Sequence, residues 1–419
     1  MYKEIKKCRI CGNKNLDLIL NLGNQYLTGT FPKTKDEKIT NGPLELFKCH
    51  EDKNGNNCGL VQLKQSYNLN EMYGENYGYR SGLNNSMIQH LHSIVDKILN
   101  IIPLTKGDLV VDIGSNDGTL LKAYPNEDYK LIGIDPTGNK FKDFYPEYIQ
   151  LIPEFFSGKH FKKRYRNKKA KIITSIAMFY DIENPIDFMK QIYEILDNEG
   201  IWFFEQSYMP TMLDMNAYDT ICHEHLEYYR LKQIKWLTDR VGFKIIDIEF
   251  NNINGGSFSV MVAKKNSSYR AKEEEVNHIL KIEEEKGLSS LKPYEEFSQR
   301  VNNHRKALIN HIQTIKSEHK LIIGYGASTK GNVILQFCNF NEKDIPYIAE
   351  VNEYKFGRFT PGTYIPIISE KRARDMKPDY FLVLPWHFMD NIITREQEYL
   401  KSGGKLLFPL PEIKKISQK

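Results

Sequence analysis

Residues 110–121, VVDIGSNDGTLL, constrain the chain more than any other stretch. An apolar β-branched run ends in Asp112. A turn carrying Gly114 and Gly118 follows, and Thr119-Leu-Leu-Lys-Ala continues at helical spacing. Strand, glycine turn and helix in that order belong to doubly wound α/β domains. Glycines at such a turn let backbone amides approach a ligand, and a helix start adds its positive dipole end. A second predicted strand, residues 130–134, ends in Asp135. An acid about twenty residues beyond the turn is placed to hold a ribose hydroxyl pair. The turn reads DxGxxxG rather than GxGxxG, which favours S-adenosylmethionine (SAM) over a dinucleotide. On this reading Asp112, Gly114, Ser115, Asn116, Asp117, Gly118, Asp135 and Pro136 form the cofactor site. A purely structural turn is the plainer alternative, and the placing of Asp135 argues against it.

The chain has 419 residues, enough for two or three domains. It is 41% apolar and 26% charged, the balance of a soluble globular protein. Mean hydropathy is −0.51, and no apolar run is long enough to span a bilayer. The first residues, MYKEIKKCRICGNK, lack the apolar core of a signal peptide, so a cytoplasmic protein without a membrane partner is expected. A net charge of +5 suits a small anionic substrate better than a nucleic-acid backbone, so no nucleic-acid partner is expected. The oligomeric expectation is a monomer or a weak homo-oligomer.

Six cysteines without an export signal point to a reducing compartment, where metal binding outweighs disulfides. Cys8 and Cys11 form a CxxC, and Cys49 and Cys58 make a wider second pair. Four thiolates in two pairs suit tetrahedral zinc in a closed structural site. A disulfide pair or a redox CxxC is the alternative.

Residues 73–87, YGENYGYRSGLNNSM, interleave tyrosine and serine with glycine and asparagine. They read either as a solvated loop or as a lid over the cofactor, with Tyr77 or Tyr79 supplying a phenol. Residues 88–101 carry apolar positions at helical spacing. Residues 172–179 read as a buried fourth strand, with Ala177 and Met178 at its cofactor end and Tyr180 beyond. Residues 201–205 read as another buried strand. Residues 243–250 and 258–263 read as a pair joined by Asn254-Gly-Gly-Ser257. The charged stretch 264–319 reads as connecting helices, because apolar residues recur along it. From residue 321 a second strand, glycine turn and helix begins. There Gly324, Gly326, Ser328, Thr329 and Lys330 could cradle a phosphate, or simply repeat the fold without a ligand.

The densest polar cluster is DTICHEHLEYY, residues 219–229, with His223, Glu224 and His225 in succession. It is not a zinc hydrolase HExxH, because adjacent residues cannot share one helical face. A histidine base oriented by a neighbouring acid is the chemical reading, since imidazole titrates near neutrality. A hydrogen-bonded structural loop is the other.

These motifs together resemble the bacterial sugar C-methyltransferases of deoxysugar biosynthesis, over nearly the whole sequence. The resemblance implies an α/β fold: a class I SAM methyltransferase Rossmann-like domain, a small N-terminal zinc-binding domain and a second, C-terminal Rossmann-like domain. It implies zinc on Cys8, Cys11, Cys49 and Cys58 (residues 1–70) and a methyltransferase domain over 71–265. Connecting helices over 266–319 and a Rossmann-like domain over 320–419 complete it. His225 is implied as the base, assisted by Glu224, His223 and Tyr77 or Tyr79, with Ser81 on the cofactor. Tyr180, Cys222, Tyr228, Asn254, Ser257 and Lys330 are expected on the substrate. Two positions depart from the family. Cys222 stands where a tyrosine precedes HEH, and Tyr180-Asp181 stands where a histidine follows the fourth strand. Both positions are expected to line the substrate pocket. The implied reaction is C-methylation of a nucleotide-linked 4-keto deoxysugar. O-methylation of a nucleotide sugar or surface-polysaccharide precursor is the alternative.

Overall fold

A computed structural model describes residues 2–52, 55–74, 77–125, 127–166 and 168–418. Short strands β1 (Lys3–Glu4) and β5 (Gln65–Ser66) pair near the N-terminus. Between them lie β2 (Leu16–Tyr26), β3 (Asn41–Cys49) and β4 (Val61–Leu63), joined antiparallel. The small sheet gains a fourth strand from a distant part of the sequence, β11 (Glu227–Tyr228), paired with β4. The segment that follows HEH is thereby tied to the N-terminal sheet.

The central sheet is built from β6 (Leu109–Ile113), β7 (Lys130–Ile134), β8 (Ile149–Ile152), β9 (Ala170–Ile176) and β10 (Leu196–Ser207). It is completed by β12 (Phe243–Asn251) and β13 (Ser257–Lys264). Its order is β12-β13-β10-β9-β6-β7-β8, and β13 runs antiparallel to both neighbours. The order reverses beside β6, which opens the crevice at the carboxyl ends of β6 and β9 where such sheets bind ligands. β6 and β9 are almost wholly buried, as strands covered on both faces are.

Two expectations fail locally. Residues 119–123 form only a short 3₁₀ turn, Leu121–Ala123, not an α-helix. The helix Asn85–Ile101 already covers that face. Its Leu91, Ile94, Val95 and Ile98 pack with Val110, Leu120 and Leu121. The cofactor turn therefore works through its amides, without a helix dipole behind it. The fourth strand ends at Ile176, short of Phe179. Ala177, at φ +52°, bends the backbone into the 3₁₀ turn Phe179–Asp181.

Helices Glu273–Glu285 and Lys292–Ser317 occupy the charged stretch. The C-terminal sheet comprises β14 (Ile322–Tyr325), β15 (Ile348–Glu350), β16 (Ile367–Ser369), β17 (Tyr380–Val383), β18 (Lys405–Phe408) and β19 (Lys414–Ile416). Its order is β16-β15-β14-β17-β18-β19. It is parallel except for β19. Leu44, Leu46, Val61 and Leu63 of the N-terminal sheet share one core with Val301, Leu308 and this C-terminal sheet. No helix among the described residues is long and apolar enough to cross a membrane.

Candidate active site and metal centre

The thiols of Cys8, Cys11, Cys49 and Cys58 lie within 4.8 Å of one another, and none is in a disulfide. Cys8–Cys58 and Cys11–Cys49 are each 3.5 Å apart. Tetrahedral zinc with 2.3 Å bonds to sulfur sets its ligands about 3.8 Å apart, so the cluster has the size the ion needs. Thiols this crowded cannot all ionise without a cation. Burial pushes Cys58 up, while hydrogen bonds from Cys49, Cys58 and Cys8 pull Cys11 down. The Asn13 amide reaches the Cys49 sulfur at 3.5 Å. Among the described residues four cysteines meet here, so no position is left for a reacting water.

A cavity of about 970 Å³ runs from the β6 turn to the C-terminal turn after β14. At the β6 end, the Asn116 amide donates to the Asp135 carboxylate at 2.8 Å and the Thr137 amide at 2.6 Å. Gly114 sits at φ +78°, and a Cβ there would meet Met178 at 3.1 Å, so the turn needs glycine. Asp112 is buried beneath the turn, accepts from the Thr174 hydroxyl at 2.7 Å, and is pushed up to about 7 by burial. Asp112, Gly114, Ser115, Asn116, Asp135, Pro136, Ala177 and Met178 all lie in the cavity wall.

Asp117 and Gly118, expected on the cofactor, do not. Asp117 turns away to accept from the Gly82 amide at 3.0 Å and the Thr119 hydroxyl at 2.5 Å. Gly118 is covered by the ring of Tyr145. Asp117 instead anchors the tyrosine segment over the turn, helped by the Ser81 amide, which donates to Asn116 Oδ1 at 2.9 Å. Tyr77, Tyr79 and Ser81 all line the cavity. Hydrogen bonds thus tie the segment to the turn, where it lines the cavity; its Glu75 and Asn76 lie outside the described residues.

The HEH triplet splits three ways. His225 lines the cavity, and its Nδ1 donates to the Thr220 carbonyl at 2.8 Å, leaving Nε2 as the acceptor. Its ring lies 4.3 Å from that of Tyr180. Burial and the charge of Lys330 lower its pKa to about 3, so the ring is neutral at physiological pH. Glu224 also lines the cavity, yet it does not orient His225. Its carboxylate accepts from the Thr28 hydroxyl at 3.4 Å and lies against Gly29, where a Cβ would stand 2.3 Å from Oε1. The orienting group is a backbone carbonyl, which no side-chain pattern reveals. His223 is fully buried outside the cavity, edge-on to Tyr67 at 4.6 Å and bonded to the Gln25 carbonyl at 3.1 Å. It locks the HEH loop to the N-terminal sheet.

Among the substrate candidates, Tyr180, Asn254 and Lys330 are in the wall. Lys330 Nζ donates to the Asn254 carbonyl at 2.6 Å. Cys222, Tyr228 and Ser257 are not in this wall. Cys222 is packed in the core, the Tyr228 hydroxyl turns to the Thr220 carbonyl at 3.5 Å, and the Ser257 hydroxyl donates to the Ile253 carbonyl at 2.9 Å. HEH follows no regular period, so the sequence could not show which way its neighbours point. Residues outside every motif also face the cavity, among them Lys355, Glu370 and Arg395. They come from separate segments, and no local pattern joins them.

Fold and site define a SAM-dependent methyltransferase carrying a structural zinc centre. Family models match the sequence in three consecutive pieces. These are a putative zinc binding domain over residues 8–73, a methyltransferase domain over 85–248 and a C-methyltransferase C-terminal domain over 252–411. Together these three models cover most of the protein. It is 28% identical to the C-methyltransferase NovU of Streptomyces niveus, across 100% of this chain and 98% of that one. Among solved structures, the plantazolicin methyltransferase BpumL in complex with S-adenosylhomocysteine matches 42% of this chain and 84% of its own. That match is at 16% identity and TM-score 0.34. A putative methyltransferase complexed with the Trm112 activator of Haloferax volcanii matches 43% and 94%, at 11% and 0.34.

Proposed function

We propose that this protein methylates the carbon beside the ketone of a nucleotide-linked 4-keto sugar, with His225 as the base. One observation carries this reading. A neutral imidazole with a free Nε2 stands in the wall of a cavity whose two ends are the cofactor turn and a second glycine turn. At about 970 Å³ the cavity is at the upper end of the range of ligand pockets, which suits a cofactor and a sugar together. SAM, when bound, supplies a sulfonium methyl carbon as electrophile.

The protein's residues do the rest. The ketone acidifies the neighbouring C–H, and His225 Nε2 takes the proton. The electron pair moves onto the ketone oxygen and would return to form the new C–C bond with the methyl carbon, whose C–S bond breaks to leave a neutral thioether, while His225 holds the proton. Thr220 keeps the tautomer that leaves Nε2 able to accept. Closure by the lid and the C-terminal wall keeps water from the carbanion, and positioning supplies most of the acceleration. The nucleotide's phosphates fit the start of helix Thr329–Phe337, where Lys330 and the Ser328 turn face the cavity.

His225→Asn should cost several powers of ten in turnover while leaving SAM affinity, read by calorimetry, unchanged. Turnover near wild type would overturn the assignment. With SAM omitted and heavy water present, the wild type should exchange deuterium into the carbon beside the ketone. O-methylation, which needs no enolate, predicts no exchange.

A further inference from the structure

Asp181 stands in the cavity wall on the turn Phe179–Asp181, next to the tyrosine that packs on His225. One of its oxygens, Oδ2, accepts from the Tyr73 hydroxyl at 2.9 Å. The other, Oδ1, is buried and has no hydrogen-bond partner. A buried polar atom left alone is costly, so an orphan on a residue of the site wall points to a contact that a ligand completes.

The surroundings determine which kind of contact. The groups acting on Asp181 are Tyr73 and Tyr77 from the lid, Glu224 and Cys222 from the HEH segment, Glu227 and Tyr228 from β11, and Tyr180 beside it. None is a cation. Arg9 approaches Glu227 and Glu183 at 3.7 and 3.6 Å, but no ion pair reaches Asp181 among the described residues. Burial first, and then the charge of Glu224, push the Asp181 carboxyl well above the usual range; the Tyr73 bond opposes them. A protonated carboxyl has one hydrogen to give. Tyr73 already occupies Oδ2 as a donor, so that hydrogen belongs on Oδ1.

Resting on the C-methylation reading, we propose that Asp181 acts as a neutral acid, its Oδ1 donating a hydrogen bond to the substrate's ketone oxygen as that oxygen becomes an enolate. His225 takes the proton from carbon, and the electron pair settles on the oxygen held by Asp181. No net proton passes through Asp181. The pair returns to form the C–C bond, and the carbonyl is restored. Tyr73 is the positioning residue. Base and acid are both neutral before reaction, as two groups with oppositely displaced affinities for protons must be.

The test uses the full-length protein and a dTDP-linked 4-keto-6-deoxyhexose as probe, with deuterium exchange beside the ketone measured across pH. Asp181→Ala should slow exchange about 100-fold, the usual effect of removing one oxyanion donor. Asp181→Asn keeps an N–H donor. It should stay within about tenfold of wild type and lose the fall in rate that the wild type shows as rising pH ionises Asp181. Tyr73→Phe should move that fall to higher pH, because the Tyr73 bond favours the carboxylate. An Asp181→Ala rate within threefold of wild type would overturn the proposal. So would an Asp181→Asn variant that fails mainly through KM, since that is the mark of a lost carboxylate–cation pair. Difference infrared spectra give a reading that needs no substrate. A protonated-carboxyl band present in wild type and missing from Asp181→Asn supports the proposal, and its absence from wild type overturns it. If the wild type exchanges no deuterium while that band is present, the sugar reading fails and the proton on Asp181 stands.

Discussion

His223 and His225 are two residues apart and chemically opposite in use. One turns into the cavity with Nε2 free; the other is sealed against Tyr67 and the Gln25 carbonyl. Burial holds His223 down at about 3 against its ordinary 6.5. Below pH 6.5 the unfolded state takes up a proton that the folded state refuses, so this residue costs stability progressively as pH falls from 6.5 toward 3. Above pH 6.5 it costs nothing. His223→Gln should therefore lose about 2 kcal/mol less stability than wild type between pH 7 and pH 5, as read from denaturant midpoints. His225, lowered to about 3 in the same direction, remains a competent base well below pH 6. The acid limb of kcat/KM should accordingly fall well below 6.5. Gly29 supplies a third residue-level test. A methyl there meets the Glu224 carboxylate, which can swing aside. Gly29→Ala should fold normally and keep kcat within a few-fold of wild type, since Glu224 makes no contact with His225; a loss beyond tenfold would show that Glu224 acts in the reaction.

At the scale of elements, the lid and the zinc knuckle are short segments without a core of their own. The tyrosine segment is held by hydrogen bonds to the turn it covers, through Ser81–Asn116 and Gly82–Asp117. Asp117→Ala removes one of these and leaves the cavity lining intact. It should raise KM for SAM several-fold, with a smaller change in kcat. The four cysteines join the end of β3 to the loops before β2 and β4, and Cys8, Cys49, Cys58 and Leu60 share a buried cluster with Tyr229 and with Trp202 of the central sheet. Metal analysis should return one zinc per protein molecule. Stripping zinc with a chelator should lower the melting temperature, because binding energy at such sites is folding energy.

For the whole molecule, what matters is that the N-terminal sheet, the long helix Lys292–Ser317 and the C-terminal sheet bury their apolar residues together. β11 stitches the HEH segment into the N-terminal sheet, and Lys330 reaches back to the Asn254 carbonyl. These couplings predict one calorimetric unfolding transition for the full-length protein. A separate early transition for residues 320–419 would contradict a shared core. The cavity follows from the same arrangement, since its walls come from the central and C-terminal sheets together with the tyrosine and HEH segments, and no single domain encloses it.

The zinc ligands, the cofactor turn and the central strands were legible from residues 8–58 and 110–205 because each is encoded locally. Thiol spacing, glycines where the backbone must bend left, and apolar runs covered on both faces leave direct marks in a sequence. The α-helix expected after Gly118 was misread because an earlier helix, Asn85–Ile101, already fills that face. The roles within HEH were closed to sequence for the same kind of reason. Whether a side group meets a cavity, a carbonyl or a core depends on partners some two hundred residues away, such as Gln25 for His223 and Thr28 for Glu224. Asp181 shows the limit most clearly: its residue type was visible throughout, but only tertiary packing leaves one of its oxygens buried and alone.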